Sequence, residues 1–375
     1  MHLNVCTARP ADDRYIYSSI PTGSIRLLAL LPDDDPNSPL TCQLIDHVLR
    51  RQHDDGRPDF QIRLMAEIYC RANRVVVWLG EAENGGDVAL EQIRAAAIPE
   101  AIQEDWGMAI LLLLQRPWFR RIWVLQEVAA ARHILVKCGA AEIDGYAFCH
   151  GLRSMESYLH ALRQPKLLGR INPIVYLVRG SIFRPKSYTT GPSGEVSLGI
   201  RPFRELLNMY RTHRATDPRD RIFALLGMCS DGPTLTAAGL SPDYTISWQD
   251  LVSRLAKFLL GNHVTTELKP GQGAAERVLI KGRGYFLGKV DEEYTKQQRN
   301  GWQEITMILH GGIAPPPHDL PAPAVRVQRD DIVCQLIGAS EPTLVRPCPD
   351  GCFAIIAIAV PALPDNSSRE EASND

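Results

Sequence analysis

The run RVVVWLG at Arg74–Gly80 constrains this chain more than any other stretch. Three consecutive valines followed by Trp78 and Leu79 favour a strand, and the run is too short for a helix. It is apolar on both alternations, which predicts a central strand buried on both faces, as in a parallel α/β sheet. HILVKCG at His133–Gly139 reads as a second strand. Helical patterns surround the two. Asp59 can cap a helix with Ile62, Met65, Ile68 and Tyr69 along it, ending near Arg71–Asn73. Further helices are expected over roughly Asp87–Ala97 and Asp105–Leu114. Another is expected from Pro117 to about Ala130, with Trp118, Ile122, Leu125 and Ala129 on one face. Upstream, Ile25–Leu30 is the one convincing strand, stopped by Pro32. Val75–Leu79 therefore needs His133–Lys137 and Ile25–Leu30 as its two neighbours in a shortened sheet, or the domain lacks strands it should have.

The rest of the chain changes character twice. Asp144 is expected to cap a helix over about Gly145–Leu162, and residues 164–200 read as loop, with Pro and Gly throughout. RPFRELLNMYR (Arg201–Arg211) is amphipathic. In TDPRDRIFALLGMCSD, Asp217 stands at a helix cap, Pro218 at the first position and Asp220 three residues on, with Gly227 as the stop. Ser247 caps a further apolar-faced helix. After Gly261, short β runs alternate with Gly, Pro and Asp turns. The expected organisation is an α/β domain over 1–150, a helical region over 151–265, a small C-terminal β module over 270–363 and a disordered polar tail over 364–375.

Charge and composition exclude several functions. The 375 residues carry 41 Lys+Arg against 43 Asp+Glu, a net charge of −2. A general nucleic-acid or anionic-membrane binder needs a basic excess. The longest apolar runs, Met108–Leu114 and Phe353–Val360, fall far short of the ~20 residues that cross a bilayer. The first residues, MHLNVCTARPADDRY, contain no apolar segment of a secretory signal. Nine scattered cysteines suggest thiols in a reducing compartment. Cys348 and Cys352 flank the turn signal Pro349-Asp350-Gly351, which predicts a hairpin rather than half a zinc site. The glycines of GRGYFLG (Gly282–Gly288) are wrongly spaced for a dinucleotide loop. Asp33–Asp35, His47, His53, Asp54 and Asp55 read as solvated, and no metal site is expected.

Two clusters carry more information. RPWFRRIWVLQEV brings Arg116, Trp118, Phe119, Arg120, Arg121, Trp123, Gln126 and Glu127 together, with Trp123 and Glu127 four residues apart on one helix face. The plain reading is a core helix with rim charges; the functional one is a polar network or an anion site. In TDPRDRIFALLG, Asp217 and Asp220 are expected to bond backbone amides at a helix start, while Arg219 and Arg221 could pair with acidic groups of the first domain.

In this order, these segments resemble the fungal heterokaryon-incompatibility (HET) domain family. The residues that carry the resemblance are GSIRLLALLP with LTCQL, QHDDGRPDFQIRLMAEIYCRANRVVVWLGE, RPWFRRIWVLQEVAAARHILVKCG, TDPRDRIFALLGM and SPDY. GRGYFLG and the β runs from Asp331 to Val360 look like the module that often follows it. The resemblance implies a cytoplasmic protein of non-self recognition that acts with incompatibility partners and triggers death of fused cells. The implied fold is an α/β sheet related to TIR domains. Some TIR domains hydrolyse NAD, so NAD is the substrate under an enzyme reading, with Glu127 the first carboxylate to test. No other cofactor is evident. A third reading is a non-catalytic interaction module. One departure stands out: the family places further strands and a helix between the positions of LTCQL and QHDDG, where this chain has only Ile45–Arg51.

Overall fold

The two apolar runs that read as strands pair in parallel, with Val75 opposite Ile134 and Trp78 opposite Lys137. The computed structural model describes residues 24–30, 42–48, 60–98, 107–155, 158–159, 165–181, 189–190, 196–270, 276–297, 303–309, 318–320 and 325–358. It contains two units, Met1–Leu64 and Met65–Asp375. In the first, β1 (Ser24–Leu30) and β2 (Cys42–Val48) form an antiparallel hairpin, Ser24 opposite Val48 and Leu30 opposite Cys42. The expected strand is present, but its ladder partner is β2, whose sequence has no clean period. Asp59, Asp33–Asp35, His53–Asp55 and the tail from 364 lie outside the described residues.

Helix α1 (Phe60–Arg71) leads into β3 (Val75–Trp78). Between β3 and its parallel neighbour β4 (Ile134–Cys138) lie α2 (Gly86–Ala96), α3 (Met108–Leu114), a 3-10 turn (Pro117–Arg120) and α4 (Val124–Ala130). Strand β5 (Ala141–Asp144) adds antiparallel to β4 and completes the sheet order β3-β4-β5. The α/β class is as read from the sequence; the role of β3 is not. Among the described residues it is an edge strand, and one of its faces is open. Val75 and Val77 are buried, whereas Val76 is 53% and Trp78 48% exposed. A strand apolar on both alternations has the same sequence whether one face or two is covered, so periodicity could not separate the cases.

Asp144 caps α5 (Gly145–Ser154), its Oδ1 accepting from the amides of Tyr146 at 2.8 Å and Ala147 at 3.3 Å. This helix stops earlier than expected. Within the stretch read as loop stands α6 (Pro165–Ser181), seventeen residues long. Pro165 sits at its start, where a missing N–H is harmless. Pro173 lies inside and would ordinarily weaken the helix. The helix persists because Leu167, Leu168, Ile171, Ile174, Val175 and Val178 are all buried. Their i, i+3, i+4, i+7 spacing was in the sequence, hidden by the proline and glycine count.

Short strands β6 (Thr189–Thr190) and β7 (Val196–Ser197) pair before α7 (Phe203–Tyr210), α8 (Asp220–Leu226), α9 (Gly232–Ala237) and α10 (Trp248–Leu260). Ser247 caps α10 as expected, its Oγ accepting from the amide of Asp250 at 3.1 Å. One apolar core runs from Val75 through Phe119, Phe148, Leu206 and Phe223 to Leu251. Each fully buried aromatic in it, such as Phe119 or Phe223, contributes about 1.5–3 kcal/mol.

The C-terminal part is all β. A hairpin of β8 (Thr265–Pro270) and β9 (Glu276–Lys281) precedes β10 (Gly284–Gln297), β11 (Gln303–Leu309), β12 (His318–Leu320), β13 (Ile332–Leu336), β14 (Thr343–Pro347) and β15 (Phe353–Ala357). The last six form an antiparallel sheet, order β12-β11-β10-β13-β14-β15. Cys348 and Cys352 close the β14–β15 hairpin, Cys348 N–H donating to the carbonyl of Cys352 at 2.8 Å. No described helix is long and apolar enough to cross a membrane.

Candidate functional site at the α4–α8 joint

The first cluster is not one helix. Backbone at Arg121 is extended (φ −77°, ψ 136°) between the 3-10 turn and α4. The break has a partner: Ile122 N–H donates to the carbonyl of Arg214 at 2.9 Å, and Arg214 N–H to that of Arg120 at 2.5 Å. A strand-like bridge from a distant segment thus replaces helical bonds at this point, which local pattern could not predict.

Downstream of the break, α4 meets α8. The indole Nε1 of Trp123 donates to Asp220 Oδ2 at 3.0 Å. Tyr244 donates its hydroxyl to the other oxygen, Oδ1. One carboxylate therefore joins the first cluster, the second cluster and the SPDY segment. Gln126, 1% exposed, donates from Nε2 to the carbonyl of Ala224 at 2.7 Å. A Cβ on Gly227 would stand 2.6 Å from that same nitrogen, so the helix stop is also a packing requirement.

Asp220 was expected to bond a backbone amide; the regular helix begins at Asp220 itself, which frees its carboxylate for Trp123 and Tyr244. Asp217 does bind a backbone amide, accepting from Arg219 N–H at 2.9 Å. Arg219 was expected to reach acids of the first domain. Instead it grips Asp217 with two nitrogens, Nε at 3.0 Å and Nη2 at 2.6 Å. Its Nη1 donates to the carbonyls of Tyr244 at 2.6 Å and Ile246 at 3.0 Å, with the guanidinium 5.1 Å from the Tyr244 ring centre. This pairing holds the Asp217 carboxyl below its ordinary range. Arg221 is half-buried, and its Nε has no partner. Tyr244, which the sequence reading passed over as a site residue, is the hub; its position in SPDY was the available signal.

Glu127 lies one turn beyond Trp123. The Tyr69 hydroxyl and Arg121 lie close enough to act on its carboxyl. Burial raises its pKa above the ordinary carboxyl value, and Arg121 and Tyr69 only partly offset that. The folded protein therefore holds a proton there more tightly than the unfolded chain. Stability from this group is full below the ordinary value and is lost as pH rises through the folded-state value. Glu127→Gln should accordingly be more stable than the parent at neutral pH, and the gap should close in acid. Urea midpoints across pH test this; a penalty that is the same at every pH would refute it.

Trp118 packs edge-on against Phe119, with ring centres 5.0 Å apart, and Phe119 lies near-parallel to Phe148. Arg116 occupies the place where open α/β sheets admit ligands, beyond the carboxyl ends of the parallel strands. Its Nη1 donates to the Leu79 carbonyl at 2.6 Å and to Cys138 Sγ at 3.3 Å, and its Nη2 to the Glu83 carbonyl at 2.8 Å. Gly86 makes room for it, since a Cβ there would stand 2.6 Å from both Arg116 Nη2 and Cys138 Sγ. A cavity lined by Val77, Phe119, Val128, Ile134, Phe148 and Ile174 measures about 10 Å³, at most one water and far below a nucleotide. The arrangement is a polar joint between two helices in which Asp220 is shared by Trp123 and Tyr244, while Gln126 Oε1 and Arg221 Nε are left without partners.

Comparison with known proteins agrees with the motifs. The family described as heterokaryon incompatibility protein (HET) matches residues 45–127. The heterokaryon incompatibility protein 6, OR allele, of Neurospora crassa is 22% identical over 251 residues. That alignment covers 54% of this chain and 36% of the relative, so the chain spans about a third of the curated protein it matches. No solved structure matches.

Proposed function

We propose that this chain, whose residues 45–127 match the HET family, acts in fungal heterokaryon incompatibility as a cytoplasmic protein that works through protein partners. The observation that carries this reading is the joint itself. The two signature clusters lie about a hundred residues apart in sequence, yet they share the carboxylate of Asp220 with Trp123. Motifs retained for packing inside one helix would not need each other. These do, which fits a recognition fold whose parts move as a unit.

In this reading the protein belongs to the pathway that kills fused cells of incompatible genotype, and its own killing activity is weak. The support is β3: among the described residues it has no strand on its outer side, and it leaves Val76 and Trp78 open where a TIR-like sheet would continue. The short interval between the LTCQL and QHDDG segments points the same way. Overexpression in a filamentous fungus is expected to leave cells viable, while deleting the gene or exchanging its allele alters which strains form stable heterokaryons. Robust death on overexpression would overturn the impairment, and unchanged compatibility after deletion would overturn the role.

The NAD reading has one observation in its favour, the half-buried Glu127 with its raised pKa beside Tyr69 and Arg121. Incubation of purified protein with NAD decides it. Nicotinamide release that disappears in Glu127→Gln supports hydrolysis, and no release removes it. The joint favours the non-enzymatic reading, because the carboxylates of Asp217 and Asp220 are already engaged by Arg219, Trp123 and Tyr244.

A further inference from the structure

Beside the joint, on the other side of the break at Arg121, three arginines come together. Arg120 ends the 3-10 turn, and its backbone is bonded to that of Arg214. Arg170 projects from α6, which packs against the same turn. The Tyr210 hydroxyl donates to the carbonyl of Pro173 at 3.1 Å, tying the end of α7 and the following His213 to α6 near Arg170. The guanidinium groups of Arg120 and Arg214 both lie within electrostatic reach of that of Arg170. Among the described residues, no carboxylate pairs with any of them.

Like charges gathered without a counterion destabilise a fold, and a buried polar atom without a partner calls for an explanation. Both conditions occur here. Arg120 Nε is buried and has no hydrogen-bond partner. His213 is 1% exposed; its Nδ1 lies 3.1 Å from the Tyr210 carbonyl and donates to it, and its Nε2 has no partner. The charged neighbour that His213 senses is Arg170. Burial holds the imidazole neutral, with a pKa lowered to about 4. A neutral ring that donates through Nδ1 presents Nε2 as an acceptor.

We propose that Arg120, Arg170, Arg214 and His213 form a binding site for a phosphate group. Guanidinium forks match phosphate oxygens in pairs, which favours phosphate over a simple halide. The acceptor at His213 adds discrimination. A phosphate or phosphomonoester near neutrality still carries a P–OH for part of the time and can donate it to Nε2. Sulfate has no such proton. Arg214 is exposed and Arg170 half-buried, so the site opens to solvent. The inference concerns a ligand and does not depend on the role in incompatibility.

The test is calorimetric titration of the full chain at low salt with inorganic phosphate, sulfate and a nucleoside monophosphate. The expected result is saturable phosphate binding at one site, tighter than sulfate. It should weaken about tenfold in Arg170→Gln and in Arg214→Gln, the loss of one charge-assisted hydrogen bond each. Arg283→Gln, an exposed arginine before β10, should bind as the parent does. Tighter binding of the nucleoside monophosphate supports the site and assigns it to nucleotides; equal binding supports it and assigns it to phosphate itself. No saturable binding, equal affinity for sulfate, or an equal loss in Arg283→Gln each overturns the proposal. The parent titration decides the matter even if a variant fails to fold.

Discussion

Asp220→Ala lowers stability by about 2–3 kcal/mol, because it strands two donors at once, the indole of Trp123 and the hydroxyl of Tyr244. Alanine also removes a charged acceptor, and hydrogen bonds to charged groups are the stronger kind. Asp220→Asn should cost less, since the amide oxygen still accepts from one donor while its NH₂ faces the other. The sharper measurement is a double-mutant cycle with Trp123→Phe. If the two clusters meet through this bond, the double variant loses less than the sum of the singles by about 1 kcal/mol. Additive losses would mean that the two clusters are stabilised independently and would remove the observation on which the functional reading stands. Tyr244→Phe supplies an internal check, because it should show the same coupling to Asp220 from the other side. The Tyr244 hydroxyl is held well above its ordinary pKa by burial and by Asp220. No ionisation of Tyr244 should therefore complicate the comparison at neutral pH.

The parts of this architecture legible in sequence are those set by nearest neighbours. Asp144 and Ser247 stand as caps because a short polar side chain before an apolar helix has one good use. The parallel pairing of Val75 with Ile134 follows from two apolar runs separated by helices. What escaped is set by distant partners. Arg121 breaks a helix that its own segment would continue, because Arg214 offers a bridge from more than ninety residues away. Helix α6 survives Pro173 because its buried face outweighs one lost bond. The acids Asp217 and Asp220 looked interchangeable as caps, yet one holds Arg219 and the other joins three segments. Arg170 and His213 carried no local signal at all; only the fold sets them beside Arg120.

A second large effect is expected where the helical region meets the β module. Asn208 of α7, 6% exposed, faces Ile358 as a neighbouring strand would: its Nδ2 donates to the Ile358 carbonyl at 2.8 Å, and its Oδ1 accepts from the Ile358 amide at 2.9 Å. One turn on, Arg211 donates to the Ile355 carbonyl at 2.7 Å and to that of Ile356. Burial lowers the pKa of Arg211 to about 10, still high enough to keep it charged at neutral pH. Arg204 adds an ion pair to Glu341 at 2.7 Å. Asn208→Ala leaves a buried amide and a buried carbonyl without partners, a loss of about 2–4 kcal/mol. Asn208→Asp should be worse, because it removes the donor and buries a charge against a carbonyl. The loss should be local. Limited proteolysis ought to reach the β14–β15 hairpin in the variant well before it reaches α2 or α4. Cleavage that accelerates equally everywhere would mean that Asn208 stabilises the whole unit and not this junction. The distinction bears on how the chain could signal. A β module held by Asn208, Arg211, the Arg204–Glu341 pair and the small apolar cluster of Leu260, Val264 and Ile358 can detach without unfolding the larger core, whereas a module fused through that core cannot.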